Sequence, residues 1–194
     1  MEKLRLFVAI PMPESVRNEM TVVQQELQQL VPHDAIRWTK PEQFHLTLRF
    51  LGNVPVERVA VLQEIINAVC RGSPVLPLRA QGVGFFPNAR PPRVIWVGVD
   101  DGKGRLADLQ ERIEDAVRPF AEEPGVEKFA GHVTIGRVKF LKRHEIEKLV
   151  SHALTIKERL FGEWTAHEIE IMQSQLSPTG AQHFLLAALR LGAD

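Results

Sequence analysis

The stretch Phe44-His45-Leu46-Thr47-Leu48-Arg49-Phe50-Leu51, with its partner Gly131-His132-Val133-Thr134-Ile135-Gly136-Arg137, decides how this chain is read. In a β-strand successive side chains point to opposite faces, so residues i and i+2 share one face and i+1 and i+3 share the other. His45 and Thr47 therefore stand together, as do His132 and Thr134. Leu46 with Leu48, and Val133 with Ile135, can enter a core. One His-x-Thr is a weak signal, because threonine favours strands and a lone histidine is usually a satisfied structural residue. Two, each with apolar residues at both alternate positions and each followed by an arginine, predict one shared polar cleft. By the same alternation Arg49, four residues after His45, is expected on the histidine face. Arg137, five after His132, joins that face only if the strand twists or ends near Gly136.

Outward from these strands the pattern alternates between helix and strand. Val16, Met20, Val23, Leu27 and Leu30 recur at spacings of three and four, which predicts an amphipathic helix starting near Pro13. The pattern returns after Pro55 with Val59, Leu62, Ile66 and Val69, again with Leu106, Leu109, Ile113, Val117 and Phe120, and more briefly with Ile146, Leu149 and Val150. Further strands are expected over Leu4 to Ile10, buried on both faces, and over Leu76 to Phe86, Arg93 to Val99, Thr165 to Gln175 and His183 to Leu191. Two connections, Pro87 to Pro92 and Ser177-Pro178-Thr179-Gly180, have the turn chemistry of hairpins. The sum is an α+β fold with helices packed outside antiparallel-rich sheets. Strand followed by helix occurs twice around a His-x-Thr, which is a coarse internal duplication.

With 194 residues the chain can bury a substantial core, and residues 1–194 are expected to form one bilobal domain. Its 24 Lys plus Arg against 24 Asp plus Glu give no global attraction to nucleic acid or to an anionic membrane, so any RNA binding must be local. The single cysteine, Cys70, excludes an intramolecular disulfide and a cysteine-based zinc site, and its apolar neighbours predict a buried structural thiol. No apolar run reaches the ~18 residues of a membrane span, and the N-terminus lacks a signal-peptide core. A cytoplasmic protein, with no membrane partner and monomeric, is expected.

The chain resembles the 2H phosphoesterases, and among them the bacterial and archaeal RNA 2′,3′-cyclic phosphodiesterases historically called 2′-5′ RNA ligases. The resemblance rests on Arg5 to Ile10, Trp38, His45 to Gly52, Gly84 to Pro87, Arg93 to Trp96, His132 to Arg137 and the Ser177 to Gly180 turn. His183 departs from it, since relatives often have tyrosine there. The resemblance implies a bilobal fold with two antiparallel-rich sheets and a central cleft to which each lobe contributes one His-x-Thr strand. It also implies an RNA substrate ending in a 2′,3′-cyclic phosphate, opened to a 2′-phosphate.

Such a reaction needs a base for water and an acid for the departing ribose oxygen, and imidazole ionises near neutrality, at about 6.5. Two histidines flanking one phosphorus fill both roles. Thr47 and Thr134 can donate hydrogen bonds to the non-bridging oxygens. By analogy with the family, His45 protonates the leaving O3′ and His132 activates water, though the residues themselves leave the two roles exchangeable. The family pattern also points Arg137 at a phosphate, which a guanidinium can grip through two hydrogen bonds. No metal or other cofactor is implied. Phe44, Trp38 and Trp96 can stack on a base but suit core packing better. His33, His144, His152, His167 and His183 read as surface or packing residues. The competing readings are the reverse, ligating reaction, a non-catalytic RNA-binding module and, more remotely, a metal-dependent hydrolase.

Overall fold

Leu6 to Ile10 are five consecutive apolar residues, all buried, and they form the middle of β1 (Lys3–Pro11), a strand covered on both faces as expected. The computed structural model describes residues 2–122, 124–125, 128–177 and 180–192. After β1 come α1 (Glu14–Gln28), β2 (Ile36–Trp38), β3 (His45–Pro55), α2 (Val59–Arg71), β4 (Leu76–Phe86) and β5 (Val94–Asp100). The chain continues through α3 (Arg105–Val117), β6 (His132–Val138), α4 (Arg143–Thr155), β7 (Leu160–Ala166), β8 (Glu168–Ser177) and β9 (Gly180–Arg190).

The helices bury most of the stripes that their periodicity predicts: Val16, Met20, Val23 and Leu27 on α1, Leu62 and Ile66 on α2, where Cys70 is buried while Val59 and Val69 are only half-buried, and Leu106, Leu109, Ile113 and Val117 on α3. Pro13 sits at the N-cap of α1, where a missing N–H costs nothing. Phe120 is buried too, but in a separate 3₁₀ turn. On α4 the buried stripe is Glu145, Leu149 and Ala153 rather than Ile146, Leu149 and Val150. Burial lifts the Cys70 thiol to about 11, so it packs as an apolar group.

The strands form two antiparallel sheets, ordered β3-β1-β8-β9 and β2-β6-β5-β4-β7. α2 and α3 pack on the first sheet, α1 and α4 on the second. Strands from each half of the chain thus complete the sheet of the other. β4 from the first half lies in the second sheet, and β8 and β9 from the second half lie in the first. The expected hairpins join β4 to β5 and β8 to β9; within the second turn, Pro178 and Thr179 lie outside the described residues.

One expected strand is two. Thr165 to Gln175 contains the end of β7 in the second sheet and most of β8 in the first, with the chain crossing between sheets at His167. Alternating Thr, Glu and Ile run through the break, so periodicity alone cannot see it. β2, three residues long, gives no periodic signal either.

Candidate active site

β3 is an edge of its sheet and β6 lies next to the short edge strand β2 of the other; the two approach within 8 Å between Cα atoms. On both, the alternation falls as expected. Leu46, Leu48, Val133 and Ile135 are fully buried toward the helices, while His45, Thr47, His132 and Thr134 are half-buried on the opposite faces. The structure therefore brings the two motif strands together with their polar pairs away from the helical layers.

Each imidazole is fixed in the same way. His45 Nδ1 lies 2.7 Å from the Gln43 carbonyl and His132 Nδ1 2.7 Å from the Ala130 carbonyl, in both cases the residue two positions earlier. A carbonyl can only accept, so each Nδ1 carries the hydrogen and each Nε2 is left to take or give a proton. Burial pulls His45 down to about 4, the neighbouring His183 adds to the depression, and the Gln43 carbonyl opposes it. His132 is also lowered, first by burial and then by Arg137, against the Ala130 carbonyl. Both are neutral imidazoles at pH 7.

Each motif strand carries a β-bulge at the third residue after its histidine. Val8 faces Arg49 and Ala9 faces Thr47, leaving Leu48 as the extra residue. Ile95 faces Gly136 and Trp96 faces Thr134, leaving Ile135. A bulge leaves the extra residue unpaired in the ladder and resets the alternation. A buried glutamine serves each freed carbonyl: Gln110 of α3 donates to Leu48 O at 3.3 Å and Gln24 of α1 donates to Ile135 O at 2.8 Å. In both cases the donor comes from the other half of the chain.

The bulges overturn the expectation for Arg49. It turns to the buried side, 9% exposed, where its Nε lies 2.6 Å from Glu114 of α3. The histidine face is rejoined by the fifth residue, Phe50 on β3 and Arg137 on β6. Phe50 packs at 5.6 Å on Phe7, whose ring also lies 4.8 Å from His45. Arg137 is exposed and stands in register with Arg37 of β2.

His183 also bears on the site. Of the two expected roles, surface or packing, it takes packing, but at the site itself: its ring lies edge-on to His45 at 5.1 Å and touches Phe7 at 4.9 Å. Its strand, β9, is far away in sequence and lies at the opposite edge of the sheet from β3, so neither sequence distance nor strand order announces the contact. Around His132 the neighbours are Phe86 at 4.8 Å and Trp96 at 6.2 Å. Trp96 lies over Gly84, where any Cβ would overlap the indole, which accounts for glycine there. Phe44 is core, and Trp38 packs against the core. His33, His144 and His167 are exposed, and His152 pairs with Glu26 at 3.3 Å. Among the described residues no group of three or more His, Cys, Asp or Glu side chains is placed to hold a metal ion, and no helix is long and apolar enough to cross a membrane.

Comparison with known proteins agrees with this geometry. The model of the LigT-like phosphoesterases matches twice in tandem, over residues 10–96 and 97–181, each match holding one His-x-Thr. The RNA 2′,3′-cyclic phosphodiesterase of Archaeoglobus fulgidus is 31% identical over 91% of this chain and 94% of its own length. That of Methanocaldococcus jannaschii is 31% identical over 91% and 95%. Among solved structures, a Thermus thermophilus protein superposes with a TM-score of 0.80 at 27% identity, covering 98% of this chain and all of its own. Escherichia coli LigT shares the fold with a TM-score of 0.76. This chain belongs to the LigT-like phosphoesterase family.

Proposed function

We propose that this protein hydrolyses the 2′,3′-cyclic phosphate at an RNA 3′ end to a 2′-phosphate, acting as one bilobal, monomeric unit without a metal ion. The observation that carries the reading is the matched pair of imidazoles, each tethered through Nδ1 to the backbone carbonyl two residues before it, just ahead of its strand, and each with a threonine hydroxyl two residues after it. The curated relatives of Archaeoglobus fulgidus and Methanocaldococcus jannaschii are RNA 2′,3′-cyclic phosphodiesterases by name, which supports this substrate class.

In the proposed reaction one Nε2 takes a proton from water as its oxygen attacks phosphorus. The bond from phosphorus to O3′ breaks, and the other imidazolium gives O3′ its proton. Thr47 and Thr134 donate to the non-bridging oxygens as charge builds there; Arg137, on the same face but five positions beyond His132, adds positive charge only from a distance. The family assigns His45 to O3′ and His132 to water. As an acid, His45 must be protonated, and burial opposes that in the free protein, so the anionic substrate has to bring its pKa up. With the roles exchanged, neutral His45 serves as the base directly. A diester with a nitrophenolate leaving group separates the two assignments, because that group departs without an acid and the variant lacking the acid then loses least.

The deciding experiment is product analysis after incubating an oligonucleotide ending in a 2′,3′-cyclic phosphate, with and without chelator. A 2′-phosphate in both is expected. A 3′-phosphate, an unchanged substrate, or activity abolished by chelator and restored by a divalent ion would each overturn part of the proposal.

A further inference from the structure

Arg37 and Arg137 stand directly opposite each other on β2 and β6. Residues so paired have their side chains on one face, and like charges there repel. Both are exposed, and neither makes an ion pair with a carboxylate among the described residues. The face is the histidine face. Arg137 rejoins it after the bulge, and Gly136 turns the other way, toward Ile36 and Trp38. The turn after β4 adds Arg90 and Arg93, and the Arg93 carbonyl accepts from Val138 N, next to Arg137.

The neutral composition hides how these charges are sorted. Residues 35–41, 76–99 and 128–144, which include β2, β4, β6 and nearly all of β5, contain arginines and lysines and not one Asp or Glu. The other sheet differs. Its histidine face carries Glu170, in register with Ala9 and through it with Thr47.

Resting on the phosphoesterase reading, we propose that Arg37 and Arg137 form a second phosphate site that holds the phosphodiester on the 5′ side of the terminal nucleotide. A 3′-terminal cyclic phosphate has no chain beyond it, so any further phosphate lies 5′. Arg137 lies five positions beyond His132, about 16 Å along a strand at roughly 3.3 Å per residue and somewhat less across the bulge at Ile135, so the pair stands off from the reacting phosphorus. A phosphate between the two guanidiniums converts their repulsion into charge-assisted hydrogen bonds, and it sets the polarity of the chain: reacting end at the histidines, upstream nucleotides over β6 and β2.

The test compares a nucleoside 2′,3′-cyclic phosphate with the dinucleotide that carries one additional 5′ phosphodiester, in the wild type, Arg37→Ala and Arg37→Lys. Wild type should favour the dinucleotide about tenfold in kcat/KM at low salt, with the preference shrinking as salt rises. Arg37→Ala should remove most of that preference through KM, and Arg37→Lys should keep part of it. An equal loss on both substrates, or no loss on either, overturns the proposal. Fluorescence anisotropy with a labelled, 3′-phosphorylated dinucleotide reads the same site without turnover. Equal affinity in wild type and Arg37→Ala would overturn the second site, whereas weaker binding to Arg37→Ala together with a wild type that hydrolyses neither substrate would uphold it and overturn the phosphoesterase reading instead.

Discussion

The His45 and His132 regions share a backbone and differ in what they place around it. Both have the tethered Nδ1, the threonine two residues on, the bulge after that, and a buried glutamine from the opposite half of the chain. At the fifth position they part: Phe50, 55% exposed, against Arg137 beside Arg37. His45 is enclosed by Phe7 and His183, with Glu170 on the same sheet face; His132 has Phe86 and Trp96 at its sides and cations beyond. What is repeated is what proton transfer requires of both groups. What differs is what a directional polymer with one reacting end requires, since identical halves would bind it equally well in either direction.

The largest effect should come from what the halves share. His45→Ala and His132→Ala should each lower kcat by roughly 10²–10⁴-fold, and the double variant should lose far less than the product of the two, because both act on one transition state. If steady-state rates showed one histidine dispensable, the halves would not be functional counterparts. Next come the glutamines. Gln24→Leu and Gln110→Leu each take the amide away from a buried carbonyl, at a cost of about 1–3 kcal/mol in denaturant unfolding. Gln24→Leu should be the costlier, since its amide donates at 2.8 Å to both Ile135 O and Thr39 O, although Thr39 N still donates to Ile135 O in its absence. A neutral Gln110→Leu would mean that the bulge at Leu48 holds without it.

The pH profile sharpens the comparison further. Whichever imidazole must be protonated has a pKa below the ordinary 6.5 in the free protein, so it loses its proton earlier as pH rises. kcat/KM should be bell-shaped with its maximum on the acid side of 6.5, and a profile still climbing past pH 7 would contradict the lowered values. Replacing His183 with Gln should move the His45 limb upward and leave the His132 limb in place. The smallest effects belong to the threonines: Thr47→Ala and Thr134→Ala each remove one hydrogen bond, about 1 kcal/mol or roughly fivefold in kcat.

The polar pairs were legible in the sequence because a two-residue period shows at once which side chains share a face. Bulges were not, since Leu48 and Ile135 are ordinary strand residues and nothing in their identity announces an extra position. Arg49 was misplaced for that reason alone. Gln24 was detectable in principle, as a polar side chain beside Val23 and Leu27 on an otherwise apolar stripe. Phe7 and His183 were out of reach, because Phe7 meets His45 through the pairing of β1 with β3, and His183 reaches it from the opposite edge strand β9, and local pattern encodes neither.

The exchange of strands has a consequence for any attempt to divide the molecule. Severing the chain after residue 96, where the two family matches meet, separates β1 and β3 from β8 and β9, and β2 and β4 from β6 and β7, and splits β5 itself. Neither fragment then owns a complete sheet, and each histidine loses the glutamine that braces its bulge to the other piece. Co-expressed fragments must associate before either site half exists, so the recovery of activity from them would be second order in concentration, a property of a heterodimer rather than of two autonomous lobes.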